Sequence, residues 1–468
     1  MLLNFSASEV KGLFLVRLAY FLFLLTLFYL CGRFQLEKIL APISAGIALI
    51  VFTYGIIQKF VIFPMILEQL KAGPTFYSLA LNARVASGRI FAIFPLPTLY
   101  AMVCGLLLIF TVHYLYRSRG RARLFWGGLF LLGAVNLVLT ESFGGILFFT
   151  AGILFYLFSS RIFKAKYLAP LLMVLALVFF LVTALRFSEA RELAPARLRF
   201  ANWLQAGRVL AAAPVLGVGL GNYETAVPPQ VRPHEPASIY AHNFFLQMAA
   251  ETGLPLFFLL VALSLPFLKK AMTGFLKPEN ALFAAAFVLL LFYNVFDVGN
   301  YFFAAGISFA MVLSQVARPE GKARPRVFIA ASLLAVLLLV HAVATSRQLA
   351  GDLWLSRQEP GRAEDRYRAA LKLEPFSYRA WLGLAHIAWQ RGDRPAADLA
   401  IRKVLRLYPG QPYANYLLSV SSWSRGAYWT ALASAGWAAK GNQKNKEYQR
   451  WHEVVQSNLA QQPALPGN

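Results

Sequence analysis

Long apolar runs alternate with short basic connectors from residue 12 to residue 346. Most of these runs have about the 20 residues that a helix needs to cross the hydrocarbon core of a membrane. The ten predicted spans are residues 12–31, 39–58, 90–114, 124–140, 144–159, 167–186, 241–267, 280–297, 301–317 and 327–346. The pattern therefore predicts an all-α, polytopic membrane protein with about ten transmembrane helices. The fourth and fifth runs are short, and they form either two spans or one broken segment that would invert everything after it.

The loops between the runs fall into two sets that differ in positive charge. One set holds 16 Lys and Arg residues, at 32–38, 117–123, 160–166, 268–279 and 318–326. The short loops of the other set hold only four. Because Lys and Arg stay on the cytoplasmic side, the first set is predicted to be cytoplasmic. The N-terminus, the large loop 187–240 and everything after residue 346 then lie outside, which in a bacterium is the periplasm.

Composition agrees with the apolar pattern and excludes the common soluble classes. Hydrophobic residues make up 58% of the 468 residues and charged residues only 14%, whereas a soluble domain has about 25% charged residues. The chain therefore has too little polar surface for a soluble enzyme, and it is neither disordered nor fibrous. Its net charge of +24 fits basic cytoplasmic loops, so nucleic acid is not an expected partner. Two cysteines, Cys31 and Cys104, cannot form a disulfide framework.

A more polar helical pattern begins at residue 347. Pro375 and Pro409 stand 34 residues apart, which is the period of the tetratricopeptide repeat. We therefore expect a membrane domain over residues 1–346 and a soluble tetratricopeptide-like helical domain over residues 347–468, with a generic array of helical hairpins as the alternative. Two and a half repeats fall short of the three that usually fold alone, so this tail is expected to rest on the membrane domain or on a protein partner. Its predicted helices are residues 363–373, 377–391, 394–407, 411–424, 427–439 and 443–459.

The candidate chemistry gathers in loop 187–240 and just after it. His242 begins the seventh run, where it acts either as a proton acceptor or as part of a polar helix start. Gly217, Gly219 and Gly221 form either a turn that brings two backbones together or a cradle of N–H groups for a phosphate. A zinc site at His234 and His242 would lack a third ligand, and no metal is expected.

Charged residues surround these positions. The arginines of the loop form either a solvated basic face or a site for a polyanionic lipid head group, because guanidinium binds phosphate bidentately. They are Arg186, Arg191, Arg197, Arg199 and Arg208. Arg17, inside the first run, is expected to extend its charge to the membrane surface. Asp297 ends the eighth run on the outer side, and an acid in that position is a functional candidate.

The order of these residues resembles the O-antigen ligase and polymerase superfamily over roughly residues 80–310. The matching segments are Arg199-x-x-x-Trp203, Pro214–Tyr223 with its glycines, and His242–Gly253 with Asn243, Gln247 and Glu251. Arg89 and the segment that follows it resemble an upstream arginine segment of the family, and Asp297 resembles a family acid. Phe143 stands where the family often has an arginine, Thr98 replaces a usual asparagine, and a second glycine after Gly253 is missing.

The resemblance implies a glycosyltransferase of the bacterial inner membrane. It would transfer a glycan from an undecaprenyl-diphosphate carrier to an acceptor such as lipid A-core, with inversion and without a cofactor. Arg199 and Arg89 would neutralise the diphosphate, and His242 would take the proton from the acceptor. Further substrate contacts are expected from Arg197, Arg208, Gly217, Gly219, Gly221, Asn243, Glu251 and Asp297. The expected partners are the lipid-linked donor, the acceptor and membrane lipids.

Three other functions stay open at this point. A polymerase of similar architecture would join two lipid-linked glycans. A transporter of lipid-linked glycan should carry charges at mid-depth on several spans, whereas these runs carry few acids. A scaffold without enzymatic activity would use its tail to recruit partners.

Overall fold

The protein is helical throughout the part that the structure describes. The structure is a computed structural model that describes residues 2–34, 36–72, 85–162, 194–232, 238–275, 277–318 and 325–460, together with Glu235. Within these ranges every regular element is a helix, which confirms the prediction of an all-α membrane protein. The predicted span 167–186 lies outside the described residues, as do Arg186, Arg191 and His234.

Fourteen α-helices form the part of the chain up to Ser356, as far as it is described. Their bounds are α1 (Leu2–Ala7), α2 (Lys11–Cys31), α3 (Leu36–Ile57), α4 (Phe63–Ala72), α5 (Pro97–Arg117), α6 (Gly120–Leu139), α7 (Phe143–Ser159), α8 (Ala194–Ala212), α9 (Tyr223–Ala226), α10 (Phe244–Thr252), α11 (Leu254–Phe275), α12 (Ala281–Phe296), α13 (Phe303–Ala317) and α14 (Pro325–Ser356). A π-helical turn, Gln58–Ile62, joins α3 to α4.

Seven stretches within the described ranges are long and apolar enough to cross a membrane, and the shorter helices α7 and α13 are also apolar. The fourth and fifth predicted runs are two separate helices, α6 and α7, joined at residues 140–142. The number of ten spans stays a prediction.

Four predicted spans are wrong in their bounds. The second, predicted to end at residue 58, continues as an apolar stretch to Glu68, and the tenth, predicted to end at residue 346, continues to Ser356. The third was predicted from residue 90, but α5 begins only at Pro97, because prolines at 95 and 97 cannot donate the backbone hydrogen bonds of a continuing helix. The seventh was predicted as one helix over 241–267. It is instead divided into α10 and α11 at Gly253, whose φ of +75° is a left-handed conformation that favours glycine.

Helix α5 is the centre of the membrane domain. It packs against α3, α6, α7, α12 and α13, and residues along its whole length are buried. Small residues allow the close approach that helix packing in lipid requires; at Gly145 of α7, an added Cβ would overlap Ala101 of α5. By contrast, α11 and α14 bury few residues, so their apolar sides are left for lipid.

The two ends of the helix bundle carry the two sets of loops as the charge pattern predicts. At one end, Asn4 Nδ2 of α1 donates to the Glu251 carbonyl (2.9 Å). At the other end, His113 Nε2 contacts Glu37 Oε1 (3.1 Å) and Lys270 Nζ donates to the Arg318 carbonyl (3.0 Å). The N-terminus and the described part of loop 187–240 therefore lie together, away from the basic connectors.

The tail consists of a row of helices, each packed against the next along the chain. Their bounds are α15 (Pro360–Leu373), α16 (Tyr378–Gln390), α17 (Arg394–Leu407), α18 (Pro412–Ser424), α19 (Tyr428–Gly441) and α20 (Lys446–Ala460). These helices lie where the sequence predicts them, while their tetratricopeptide character stays a prediction. The domain boundary predicted at residues 346 and 347 falls inside α14, so the change in composition there marks no break in the backbone.

The tail docks on the same end of the membrane domain as α1. Arg379 Nη2 of α16 binds Glu224 Oε1 of α9 (2.5 Å), and the Gly410 N–H donates to Glu9 Oε1 (3.0 Å). Gln443 Nε2 donates to the Pro229 carbonyl (3.3 Å). The tail therefore rests on the membrane domain, which was one of the two predicted arrangements.

We predict that Gly145→Ala lowers stability through overpacking, by about 1–3 kcal/mol. Gly128 of α6 has open space around it, so Gly128→Ala should be neutral or stabilise by up to ~1 kcal/mol through helix propensity. Thermal unfolding of both variants in the same detergent measures the difference. Equal stability of the two variants would contradict the close contact between α5 and α7.

Candidate active site

The backbone holds His242 in an unusual conformation at the entrance to α10. Its φ is +50°, which a residue with a Cβ adopts only when its surroundings enforce it. Asn243 caps α10 by accepting a hydrogen bond from the Leu246 N–H (2.9 Å). On the other side, the Ala241 N–H donates to Gln247 Oε1 (3.1 Å), and Trp203 Nε1 donates to the His242 carbonyl (3.0 Å). Asn243 therefore positions the histidine.

The imidazole of His242 pairs with Asp297. His242 Nδ1 lies 3.2 Å from Asp297 Oδ1, and the side chains are 26% and 3% exposed, respectively. The carboxylate also accepts from the Val298 N–H (2.8 Å), and the Asp297 carbonyl accepts from the Phe244 N–H (3.0 Å). Because an ionised carboxylate only accepts, the shared hydrogen belongs to Nδ1. Nε2 of His242 then carries a lone pair, and no described residue bonds to it.

Asp297 is held in its ionised form despite its burial. Burial by itself would raise the pKa of Asp297. The hydrogen bond from His242, the positive charge that this imidazole has when it is protonated, the Val298 N–H and the positive charge of Arg199 together bring this pKa below its usual value. Asp297 is therefore placed to orient the imidazole, while its predicted contact with the substrate stays a prediction.

Arg199, on α8, lies close enough to act electrostatically on Asp297. It has no ion pair or hydrogen bond with any other described residue, and it is only partly exposed. Arg197 precedes it on the same helix, is exposed and likewise has no partner within the described ranges. Arg199 is thus a cation beside the His242–Asp297 pair whose guanidinium is free to bind an anion.

The other predicted arginines are engaged elsewhere. Arg208 makes a bidentate ion pair with Glu235, with both N–O distances 2.6 Å, which lowers the pKa of Glu235 to about 2. Arg89 Nε donates to the Thr140 carbonyl (2.9 Å), at the turn between α6 and α7. The described contacts do not join Arg89 to His242 directly, so its assignment to the same site stays a prediction.

The three glycines of the loop make backbone contacts, and their φ angles of +66°, +93° and +79° are left-handed. The N–H groups that a phosphate would need are already bonded within the protein. Gly217 donates to the Ala213 carbonyl (2.9 Å) and Gly219 to the Glu251 carbonyl (2.9 Å), while Gly221 donates to Glu251 Oε2 (2.7 Å). The geometry therefore favours the turn over the phosphate cradle, and it gives no support to the prediction that these glycines bind substrate.

Glu251 joins this loop to the rest of the domain. It is fully buried, and its Oε2 also accepts from the Tyr301 hydroxyl (2.7 Å), while Gln247 Nε2 donates to Oε1 (3.1 Å). Burial raises the pKa of Glu251, whereas the charge of Arg17 and these hydrogen bonds oppose that rise. With both oxygens occupied, Glu251 serves the packing of the loop.

Two contributors to this region are missed by sequence reasoning. Asn4, besides its bond to Glu251, accepts from the Leu220 N–H through Oδ1 (3.2 Å). Arg17 does not simply reach for the membrane surface: Nη1 donates to the Tyr301 carbonyl (3.0 Å), and the guanidinium lies 4.4 Å from the Tyr301 ring centre. The polar residues between Asn4 and Glu9 were the available signal, because they interrupt an otherwise apolar N-terminus.

A group of three or more His, Cys, Asp or Glu residues that could hold a metal ion is not found within the described ranges. The arrangement provides a histidine oriented by a buried carboxylate, a free imidazole nitrogen and a neighbouring unpaired guanidinium. Such a set can accept a proton and stabilise negative charge without a metal.

Residues 128–261 match the family model described as O-antigen ligase. The chain carries a domain of the O-antigen ligase superfamily. The match contains Arg199, the glycine loop and His242, so the resemblance predicted from their order is confirmed. No functionally curated protein matches the sequence. The domain makes this protein, in general terms, a membrane enzyme of glycosyl transfer.

We predict that Gly253→Ala separates the glycine loop, residues 215–221, from the junction of α10 and α11 in this O-antigen ligase domain. A Cβ at Gly253 would overlap the Val215 backbone and lie 2.7 Å from the Gly217 nitrogen. Gly392 has a similar φ of +74° but open surroundings, so Gly392→Ala should cost only the about 1 kcal/mol of a strained turn. Hydrogen exchange at Val218 and Gly219 should accelerate only in Gly253→Ala. Unchanged exchange there would contradict the backbone crossing.

Proposed function

We propose that this protein transfers a glycan from an undecaprenyl-diphosphate carrier to the hydroxyl of an acceptor such as lipid A-core. One observation carries this proposal. His242 presents an unbonded imidazole nitrogen while Asp297 holds its other nitrogen, and the unpaired guanidinium of Arg199 lies beside them. The O-antigen ligase domain supports the same reaction class.

The proposed reaction is a single displacement. Nε2 of His242 takes the proton from the acceptor hydroxyl as its oxygen forms a bond to the anomeric carbon of the donor. The bond between that carbon and the diphosphate oxygen breaks, and its electron pair leaves with the undecaprenyl diphosphate. Attack opposite to the leaving group inverts the anomeric configuration.

The charges of these residues determine the role that is proposed for each of them. The diphosphate gains negative charge as it leaves, and a fixed cation directed at that charge lowers the barrier. Arg199 is proposed for this role because no described acid forms an ion pair with it. Arg89 and Arg197 are proposed as additional contacts to the diphosphate. Asp297 is proposed as the positioning residue that favours the Nδ1–H tautomer of His242 and stabilises its protonated form.

A polymerase would use the same chemistry with a second lipid-linked glycan as acceptor. Lipopolysaccharide from a deletion strain distinguishes the two. A ligase leaves carrier-linked polymer and no capped ladder, whereas loss of a polymerase leaves core capped with a single repeat.

We predict that His242→Ala reduces glycan transfer by about 10²–10⁴-fold, the usual contribution of a general base. Asp297→Asn should also reduce transfer, because it removes the charge that orients the imidazole. His452→Ala, in helix α20 of the tail, is the matched histidine control and should retain activity. The measurement is transfer from purified lipid-linked donor by protein in nanodiscs. Full activity of His242→Ala would refute the mechanism.

The proposed location is the inner membrane, with His242 and the tail in the periplasm. Both native cysteines are buried, and a Cys31→Ser, Cys104→Ala background allows single cysteines to be labelled. An impermeant maleimide applied to spheroplasts should label Trp429→Cys, at the exposed surface of the tail. It should label Arg119→Cys only after lysis, because that position lies in a predicted cytoplasmic loop. The reverse pattern would invert the topology.

A further inference from the structure

A polar cavity lies between the membrane domain and the tail, next to the proposed active site. Its volume is about 220 Å³. The membrane domain contributes Arg17, Tyr240 and Gln247, and the tail contributes Phe376 and Arg379. Tyr240 precedes His242 by two residues, and Gln247 bonds the intervening Ala241. The cavity is therefore separate from the imidazole of His242 but built on the same segment.

Three acids, two arginines and His341 line the cavity. Arg379 pairs with Glu224 (2.5 Å), and His341 Nδ1 pairs with Glu374 Oε2 (3.0 Å). The remaining cation, Arg17, acts on the buried Glu251. A phosphate or a carboxylate in the cavity would lie close to Glu224, Glu374 and Glu251. The basic residues beside these acids already interact with them, so they are not available to bind an added anion. The cavity therefore suits a neutral ligand.

Gln348 of α14 is the side chain in the cavity that is best placed to bond a ligand. It is only 8% exposed, it lines the cavity, and its amide has no hydrogen-bond partner among the described residues. Its amide atoms are not fully enclosed by protein, so they are open to whatever fills the cavity, water or a ligand. Its donor and its acceptor together fit a hydroxyl group, which both accepts and donates.

The aromatic side chains define the rest of the ligand. Phe376 is 66% exposed although it is a large apolar side chain, and Tyr240 lines the same cavity. Ligand pockets combine apolar and aromatic walls with a few polar groups that fix orientation. The cavity is smaller than the ~300 Å³ at the lower end of pockets for drug-sized ligands. One sugar ring, with an apolar face and hydroxyl edges, matches this size and chemistry.

We propose that this cavity binds one neutral sugar unit of a glycan substrate, so that the C-terminal helices form part of the substrate site. The assignment of that sugar to a substrate rests on the proposed function. The fold supports the proposal because the cavity exists only where the tail docks on the membrane domain.

The test uses full-length protein in nanodiscs and saturation-transfer difference NMR. The probes are the methyl glycosides of glucose, galactose, mannose, rhamnose and N-acetylglucosamine, with methyl glucuronide and inorganic phosphate as anionic probes. At least one neutral glycoside should bind, and the anions should not. Gln348→Leu should weaken that binding about tenfold, as expected for the loss of one or two neutral hydrogen bonds. Phe376→Ala, at an exposed position, should weaken it as well.

Gln315 provides the matched control for Gln348. It is equally buried, at 8% exposed, but its Nε2 donates to the Cys31 carbonyl (2.8 Å). Gln315→Leu should therefore lower thermal stability and leave sugar binding intact. Gln348→Leu should weaken sugar binding and leave thermal stability unchanged, because it removes an amide that has no hydrogen-bond partner among the described residues. This contrast separates a ligand-binding role from a structural one.

The outcomes separate this inference from the proposed function. Sugar binding that depends on Gln348 and persists in His242→Ala supports the cavity even if glycan transfer is never observed. The inference is overturned if no neutral glycoside binds, if only the anions bind, or if Gln348→Leu and Phe376→Ala bind as well as the unaltered protein. In these cases transfer that depends on His242 would still uphold the proposed function.

Discussion

The arrangement of the end of the helix bundle that carries α1 and His242 depends on one backbone crossing. The glycine loop passes over the junction of α10 and α11, and neither Gly217 nor Gly253 has room for a Cβ. Hydrogen bonds from Val218 and Gly219 to the carbonyls of Ala250 and Glu251 hold the two segments together. The crossing fixes the position of α10, and the start of α10 carries His242. The glycines therefore affect the proposed chemistry only through geometry.

Burial has a different consequence for each of the two buried acids near α10, Asp297 and Glu251. Asp297 stays ionised because the hydrogen bonds from His242 and Val298 and the positive charge of Arg199 offset its burial, and an ionised carboxylate can orient an imidazole. Glu251 has Arg17 nearby and three hydrogen bonds, yet the pKa of its carboxyl is raised. Asp297 orients the partly exposed imidazole of His242, whereas Glu251 holds buried segments together. The resemblance alone, which treats both as possible substrate contacts, does not make this distinction.

The sequence predicts the helices better than it predicts their breaks. Apolar runs and the 34-residue spacing locate the helices of both parts, because burial and periodicity are local properties. The division of the seventh run at Gly253 follows from a contact with residues almost forty positions earlier in the chain, which no local pattern records. The pairing of His242 with Asp297 is likewise long-range: the order of motifs indicates both residues, and only the fold brings Asp297 behind the imidazole. The cavity at the tail has no sequence signal, since its walls come from six separate segments.

The contacts in the structure also distinguish arginines that look equivalent in the sequence. A loop rich in arginine predicts a diffuse basic surface, and such a surface would attract many anions without orienting any of them. In the structure, Arg208 is neutralised by Glu235 and Arg17 is turned towards Tyr301 and Glu251. Arg199 has no ion-pair partner among the described residues, and it lies beside the imidazole that Asp297 orients. Because fixed charge lowers a barrier only when it is aimed at the atoms where negative charge develops, one unpaired guanidinium in this place matters more than the total of +24. It also bears on Phe143: the arginine usual at that position in the family is missing, so the diphosphate would depend more strongly on Arg199.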